Sequence, residues 1–391
     1  MKKLKRMGAM TLALVMALSA LSGCGQKSPG ASSNPAGSGS GDSSQITPMD
    51  LSKITDPYLA VSGLAGDEVV ARVGDGEITA SQYLYWLNRE IGNYLSLFGG
   101  QMNTLPWDSE MAEGLTFGQS MGEEALDVAS YYCVMKKAAQ DAGIAPDPGV
   151  AATVDQQYAD LVVQAGANEE RVIHALWAQM LTKNLLTSLN EHSDLFTQLV
   201  NRDREENGEP TDAEVMAYLE EIGTYRAKHI LLATIDLATR EPLDDEAIAQ
   251  KKAAADDLLV QLRGAEDPIA LFDQLMNQYS EDTGLETNPD GYTTQKGEMV
   301  APFEQAALAL KDGEISDVVE SDFGYHIILR LPINPDGFRD ECAAARLRDS
   351  LIQERERLGV EKTAAYDKLD VGTFWNNMLS LQTAVQMEAV G

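Results

Sequence analysis

Ala227-Lys228-His229-Ile230-Leu231-Leu232 and Gly324-Tyr325-His326-Ile327-Ile328-Leu329 are two short apolar runs, each carrying one histidine, and the chain between them decides the fold. Short apolar runs of this kind, bounded by turn residues, predict strands. After the first run, Asp244 or Asp245 is placed to cap a helix whose Ile248, Ala255, Leu258, Leu259 and Leu262 share one face, and Gly264 can end it. Asp267-Pro268 opens a second helix, with proline at the first position, where its missing N–H costs nothing. Phe272, Leu275, Met276 and Tyr279 give that helix a buried stripe. The chain then turns at Tyr279-Ser280-Glu281-Asp282 and follows a Gly-rich approach to Lys296-Gly297-Glu298-Met299-Val300. A third helix is predicted over 302–310, stopped at Asp312-Gly313, and residues 315–320 lead into the second histidine run.

This order of motifs closely resembles the parvulin family of peptidyl-prolyl cis/trans isomerases. The resemblance implies an α+β fold over 224–332, a four-stranded antiparallel sheet with surrounding helices. It implies that Met299 and Phe303 line a proline pocket, with Thr294 and Phe323 among the substrate contacts. His229 and His326 would form a paired-histidine network at the pocket floor. Ser321 would be a polar neighbour of the second histidine, and Asp282 the polar group facing the reacting carbonyl. Two alternatives stay open: the histidines can be a satisfied core pair that fixes strand pairing, and Asp282 a carboxylate capping the turn ahead of Thr283-Gly284. No metal or other cofactor is implied, and the spacing of Glu281, Asp282 and Asp290 matches no calcium loop. One departure concerns the strand before the Gly-x-Met turn. The family carries an apolar residue and then phenylalanine there, whereas Gly291-Tyr292 is followed by Thr293 and Thr294, which predicts a wetter pocket lacking one aromatic wall.

Outside this stretch, 391 residues with 44% hydrophobic content exceed one ordinary domain. Lys2, Lys3, Lys5 and Arg6 precede an apolar run over 10–21, too short to span a bilayer. It ends in Leu21-Ser22-Gly23-Cys24, which resembles the lipobox of bacterial lipoproteins. Residues 1–23 are then a signal peptide and Cys24 the acylated residue, with two acyl chains sufficient for stable anchoring. A Gly/Ser/Pro/Ala-rich stretch begins after Cys24 and cannot bury enough surface to offset its ordering, so 24–66 reads as a tether.

From 67 to 223 the chain reads as helical, after a short strand pair about Gly74-Asp75-Gly76. Thr79 and Thr211 are expected helix N-caps. Leu84, Leu87, Ile91, Tyr94 and Phe98 recur at helical spacing, and further amphipathic stretches lie near 121–142, 148–165, 168–189 (extendable to 200) and 212–222. Trp86, Tyr131, Tyr132 and Trp177 are core candidates, with peptide binding a second reading. His174 and His192 are taken as ordinary helix residues. The opening Ala71–Leu87 segment resembles the chaperone domain of PrsA-like and SurA-like foldases. In such proteins a C-terminal tail returns to complete that domain, here 338–391, leaving the parvulin domain inserted in a mostly α-helical chaperone domain.

Removing the four leader cations deepens the net charge from −31 to −35, which argues against a nucleic-acid partner. Cys133 and Cys342 are too far apart in sequence to suggest a disulfide framework and read as buried free thiols. The function implied is a lipid-anchored, extracytoplasmic prolyl isomerase and chaperone for unfolded exported proteins. A holdase with a weakly active parvulin domain is the alternative, and a transporter's solute-binding lipoprotein a third class that the central motifs disfavour.

Overall fold

The computed structural model describes residues 46–97, 105–111 and 114–390. The expected signal peptide, Cys24, Phe98 and the tether as far as 45 lie outside them. The chain divides into two compact units, one formed by residues up to Asn207 with those from Ala344 onward, the other by Gly208–Ala343. The α+β class therefore takes the form of a sheet-bearing unit inserted between two parts of a mostly helical one.

Order begins earlier than the tether expectation placed it. Helix α1 (Pro57–Ser62) starts on Asp56, whose carboxylate accepts from the Tyr58 and Leu59 amides, and ends at left-handed Gly63. Tyr58, Val61 and Leu64 are buried, because apolar residues return to the sequence after Ile46 and find a core. Strands β1 (Val69–Val73) and β2 (Gly76–Thr79) form the expected hairpin. Helix α2 (Ala80–Leu97) follows and buries Leu84, Leu87 and Ile91. Thr79 was expected to cap it, but its hydroxyl pairs with Ser81 and its own N–H donates to Gln82. Helix α3 (Phe117–Asp141) opens with a Thr116/Gln119 capping box, and α4 (Pro148–Gln164) is capped by Asp147.

The long helix read from 168 onward is two helices, α5 (Glu169–Trp177) and α6 (Lys183–Asn207). The break is at Met180, whose φ of 56° stops the helix. Its N–H bonds to the Trp177 carbonyl and that of Leu181 to the Leu176 carbonyl, while its own side chain is fully buried.

Helix α7 (Asp212–Glu221), with a Thr211/Glu214 capping box, belongs to the sheet-bearing unit rather than to the helical segment before it. Its Val215 and Leu219 pack with Cys342, Ile333 and Phe338, an apolar face that the local pattern could not assign to either body. Then come β3 (Thr224–Ala233), α8 (Asp245–Gly264), α9 (Pro268–Tyr279), β4 (Tyr292–Gln295), α10 (Ala301–Ala309), β5 (Val319–Ser321) and β6 (Gly324–Leu331). Asp244 and Asp267 cap α8 and α9 by accepting from the Ala247 and Ala270 amides. The four strands are antiparallel in the order β4-β3-β6-β5.

Strand alternation gives this sheet two different faces. Ile230, Leu232, Tyr325, Ile327 and Leu329 pack against α8 and α9, where Phe272 is wholly buried. Truncating a buried phenylalanine of this kind costs about 3–5 kcal/mol. On the other face Tyr225, Ala227 and Ile328 pack beneath Phe303 and Ala307 of α10. His229 and His326 share that second parity, which puts both under α10.

Helix α11 (Arg339–Leu358) leads to β7 (Glu361–Lys362), which pairs with β1 and completes a three-stranded sheet. Thr363 Oγ1 donates to the carbonyls of Val69 and Val70. After α12 (Ala364–Lys368), helix α13 (Val371–Val390) buries Phe374, Met378 and Leu381 in the helical unit. Asn377 Nδ2 donates to the Val61 carbonyl and Gln382 Nε2 to that of Ala178. No described helix is long and apolar enough to cross a membrane.

Candidate active site

The antiparallel register pairs His229 with Ile328 and His326 with Leu231, so the two histidines are diagonal neighbours on one face. Their rings stack with centroids 5.2 Å apart and planes 12° apart, and their Nδ1 atoms lie 2.9 Å from each other. His229 Nε2 is 3.0 Å from Asp282 Oδ2, and His326 Nε2 is 2.6 Å from Ser321 Oγ. Phe303 stands edge-on to both rings, at 5.2 Å from His229 and 5.7 Å from His326, and Met299 packs half-buried in the same cluster.

Asp282 is held from several sides. Its Oδ1 accepts from the Gly284 amide at 3.0 Å, and its Oδ2 accepts from Tyr292 Oη at 2.5 Å as well as from His229. Burial opposes its ionisation, but the donors His229, Tyr292 and Gly284 outweigh burial and hold the carboxyl well below the usual range. A carboxylate only accepts, so His229 Nε2 carries a proton. His326 lies between the His229 Nδ1 and the Ser321 hydroxyl, and Ser321 Oγ also accepts from the Phe323 amide. Burial, with the neighbouring His229, pushes His326 down to about 3, which keeps this ring neutral. Tyr292, Asp282, His229, His326 and Ser321 are thus joined in one hydrogen-bonded chain.

Tyr292 was not singled out by the sequence as part of this network. It lies on the same face of β4 as Thr294, its ring edge-on to His229 at 6.0 Å, and so places an aromatic group beside the histidines. Two glycines make its position available. Gly291 just before it has a φ of 92°, and a Cβ there would lie 2.8 Å from the Ala227 carbonyl oxygen. A Cβ on Gly284 would lie 2.1 Å from Tyr292 Oη. Burial and the bond to Asp282 push the phenol well above its ordinary value, so it remains a donor.

The other candidates separate. Thr294 does not leave a free hydroxyl in the pocket wall: it is buried and donates to Glu298 Oε2 at 2.8 Å. Phe323 has the Arg240 guanidinium over its ring at 5.2 Å. Its amide donates to Ser321 Oγ at 3.1 Å, which anchors that hydroxyl. Among the described residues no group of His, Cys, Asp or Glu is arranged to hold a metal ion. Cys24 lies outside them.

An apolar wall of Met299 and Phe303 over a satisfied polar network suits a reaction that breaks no bond between heavy atoms. Twisting a planar group asks only that its water be removed and its twisted form favoured. This defines the class as an isomerase site on an antiparallel sheet.

The comparisons with known proteins agree. The rotamase model, described as the PPIC-type PPIase domain, matches residues 229–331. The foldase protein PrsA of Bacillus subtilis is 33% identical over 137 residues, 34% of this chain and 39% of that protein. The peptidyl-prolyl cis-trans isomerase Pin1 of Malus domestica is 38% identical over 91 residues, 23% of this chain and 69% of that one. The crystal structure of PrsA from Bacillus subtilis is similar with 20% identity over 64% of this chain and 91% of that one, at a TM-score of 0.23. The chain belongs to the PPIC-type, or parvulin, family of peptidyl-prolyl cis-trans isomerases. Its match spans about two-fifths, 39%, of the length of the PrsA relative.

Proposed function

We propose that the sheet-bearing unit rotates X–Pro peptide bonds and that the whole chain is a PrsA-like foldase for exported proteins, held at the outer side of the cytoplasmic membrane by a lipid on Cys24. The observation that carries the catalytic part is Phe303 set edge-on to both stacked histidine rings, with Met299 beside it. A proline ring, apolar and without a side-chain donor, suits such an apolar, aromatic wall.

The barrier to rotation is about 18–20 kcal/mol, and an acceleration of about 10⁴ asks for only about 5.5 kcal/mol of preferential transition-state binding. The planar amide owes its stiffness to charge separation, with negative charge on oxygen and positive on nitrogen. Water stabilises that form, so desolvation of the proline by Met299 and Phe303 weakens it. An ionised Asp282 near the substrate carbonyl disfavours it further, because the planar form carries the larger negative charge on oxygen. Asp282 is held by donors from His229, Gly284 and Tyr292. On this reading His229, His326 and Ser321 position the carboxylate and keep the floor rigid.

The partners are unfolded or partly folded polypeptides containing X–Pro. The helical unit is assigned the chaperone role, and a net charge of −31 argues against a nucleic-acid partner. An isomerisation assay on a short proline peptide, run beside an aggregation assay on an unfolded client, tests this. Turnover with suppression of aggregation supports the foldase; suppression without turnover leaves a holdase; neither removes the reading.

A further inference from the structure

The helical unit contains a cleft of about 350 Å³ between α2, α3 and α6, in the size range of ligand pockets of about 300–1,000 Å³. Trp86 and Tyr132 stack in its wall with centroids 4.9 Å apart and planes 16° apart. His192 lines the same cleft, 6% exposed, with its ring edge-on to Tyr132 at 5.5 Å. Its Nδ1 is 2.6 Å from the Ser188 carbonyl, which can only accept, so the proton sits on Nδ1 and Nε2 presents a bare lone pair. Burial pushes this histidine down to about 4, so that lone pair persists at neutral pH. No hydrogen bond to Nε2 occurs among the described residues. The atom is not sealed from the cleft, so a donor entering there can pair with it. Lys136 also lines the cleft, close enough to act electrostatically on both His192 and Cys133, and has no ion-pair partner among the described residues.

We propose that this cleft binds an aromatic side chain carrying a hydrogen-bond donor, as tyrosine does, from an unfolded polypeptide. The ring lies against Tyr132, which the buried Trp86 backs, the hydroxyl donates to His192 Nε2, and a carbonyl of the same segment meets Lys136. A purely apolar side chain satisfies the wall but leaves His192 unpaired, whereas a small polar one satisfies His192 and wastes the aromatic surface. The inference deepens the chaperone reading of the helical unit and is independent of prolyl turnover.

The test uses the full chain and a pair of proline-free, fluorescently labelled pentapeptides that differ only in a central tyrosine or phenylalanine. The tyrosine peptide is expected to bind about tenfold more tightly, the worth of one hydrogen bond. His192→Leu should erase that difference, and Lys136→Glu should weaken both peptides. Cys133 is a half-buried free thiol lining the cleft, whereas Cys342 is buried. In a Cys24→Ser chain the tyrosine peptide should therefore slow labelling of Cys133. Protection of Cys133 decides the matter if His192→Leu fails to fold. Equal affinity for the two peptides, a tyrosine preference that survives His192→Leu, or unprotected Cys133 overturns the proposal. Absence of isomerase activity leaves it standing.

Discussion

Tyr292 Oη lies 2.5 Å from Asp282 Oδ2, so the wall of the site and its anion are joined by one hydrogen bond. Asp282 is thereby more than a cap for the following turn, although it also serves as one through Gly284. Tyr292→Phe removes one of the donors that depress the carboxyl. Asp282 with a depressed pKa is ionised above its native value and loses its charge as pH falls through it. Raising that value toward the ordinary carboxylate, about 4, moves the acid limb of kcat/KM upward in pH. A pH–rate profile of Tyr292→Phe should show this shift, with a stability loss of roughly 1.5–3 kcal/mol for a hydrogen bond to a charged group. An unmoved acid limb would detach Tyr292 from the reaction.

Gly284→Ala should reproduce Tyr292→Phe, because the new Cβ falls 2.1 Å from Oη and drives the phenol off the carboxylate. The two changes should be strongly non-additive in a double-mutant cycle, since each abolishes the same bond. Additive losses would mean that Gly284 matters for its backbone alone.

Stability should fall on acidification from neutral pH. His326 titrates near 3 in the folded chain and near 6.5 when unfolded, so between those values the unfolded state binds more protons. The stabilisation is complete above about 6.5 and lost as pH falls toward 3, amounting to about 2 kcal/mol by pH 5. Denaturant unfolding of the native chain and His326→Asn at pH 7 and pH 5 measures it: the substitution should remove about 2 kcal/mol of the dependence and leave the share of His192, which is pushed down to about 4.

Thr294→Phe should not improve the pocket. The threonine is buried and holds Glu298, so a larger ring overpacks the site and costs about 1–3 kcal/mol, with no gain in turnover. A rise in kcat/KM would restore the view that an aromatic wall is missing.

The tail beyond Gly359 should be required by the helical unit. Without it β1 loses β7, and the surface that buries Phe374, Met378 and Leu381 is left open. A chain ending at Leu358 should show a lower melting temperature for its helical unit, whereas unchanged melting would make the tail an accessory.

The paired histidines, Phe303, Met299 and the capped helices α8 and α9 were legible because each rests on local signals: apolar runs, Asp caps and fixed motif order. The bond from Tyr292 to Asp282 was not, because it joins residues across a turn whose closeness depends on two glycines and on the β3–β4 register. The family pattern puts an aromatic at the position of Thr294, on the same face but two residues along. Met180 hid the break between α5 and α6, since methionine carries no signal for a positive φ. Helix α7 showed its apolar face in the sequence, but periodicity does not say which body covers it. The same limit left Trp86 and Tyr132 open between core and peptide binding; Trp86 is buried, and Tyr132 borders a cleft beside His192.

The most direct test of the account is kcat/KM for a proline peptide with the native chain, Met299→Ala and Phe303→Leu. The account predicts measurable turnover by the native chain and a loss of at least about tenfold in each variant, since about 1.4 kcal/mol of lost transition-state contact suffices for that. Circular dichroism should show the sheet intact in both. Turnover at the native level in both folded variants, or none in the native chain, would contradict it.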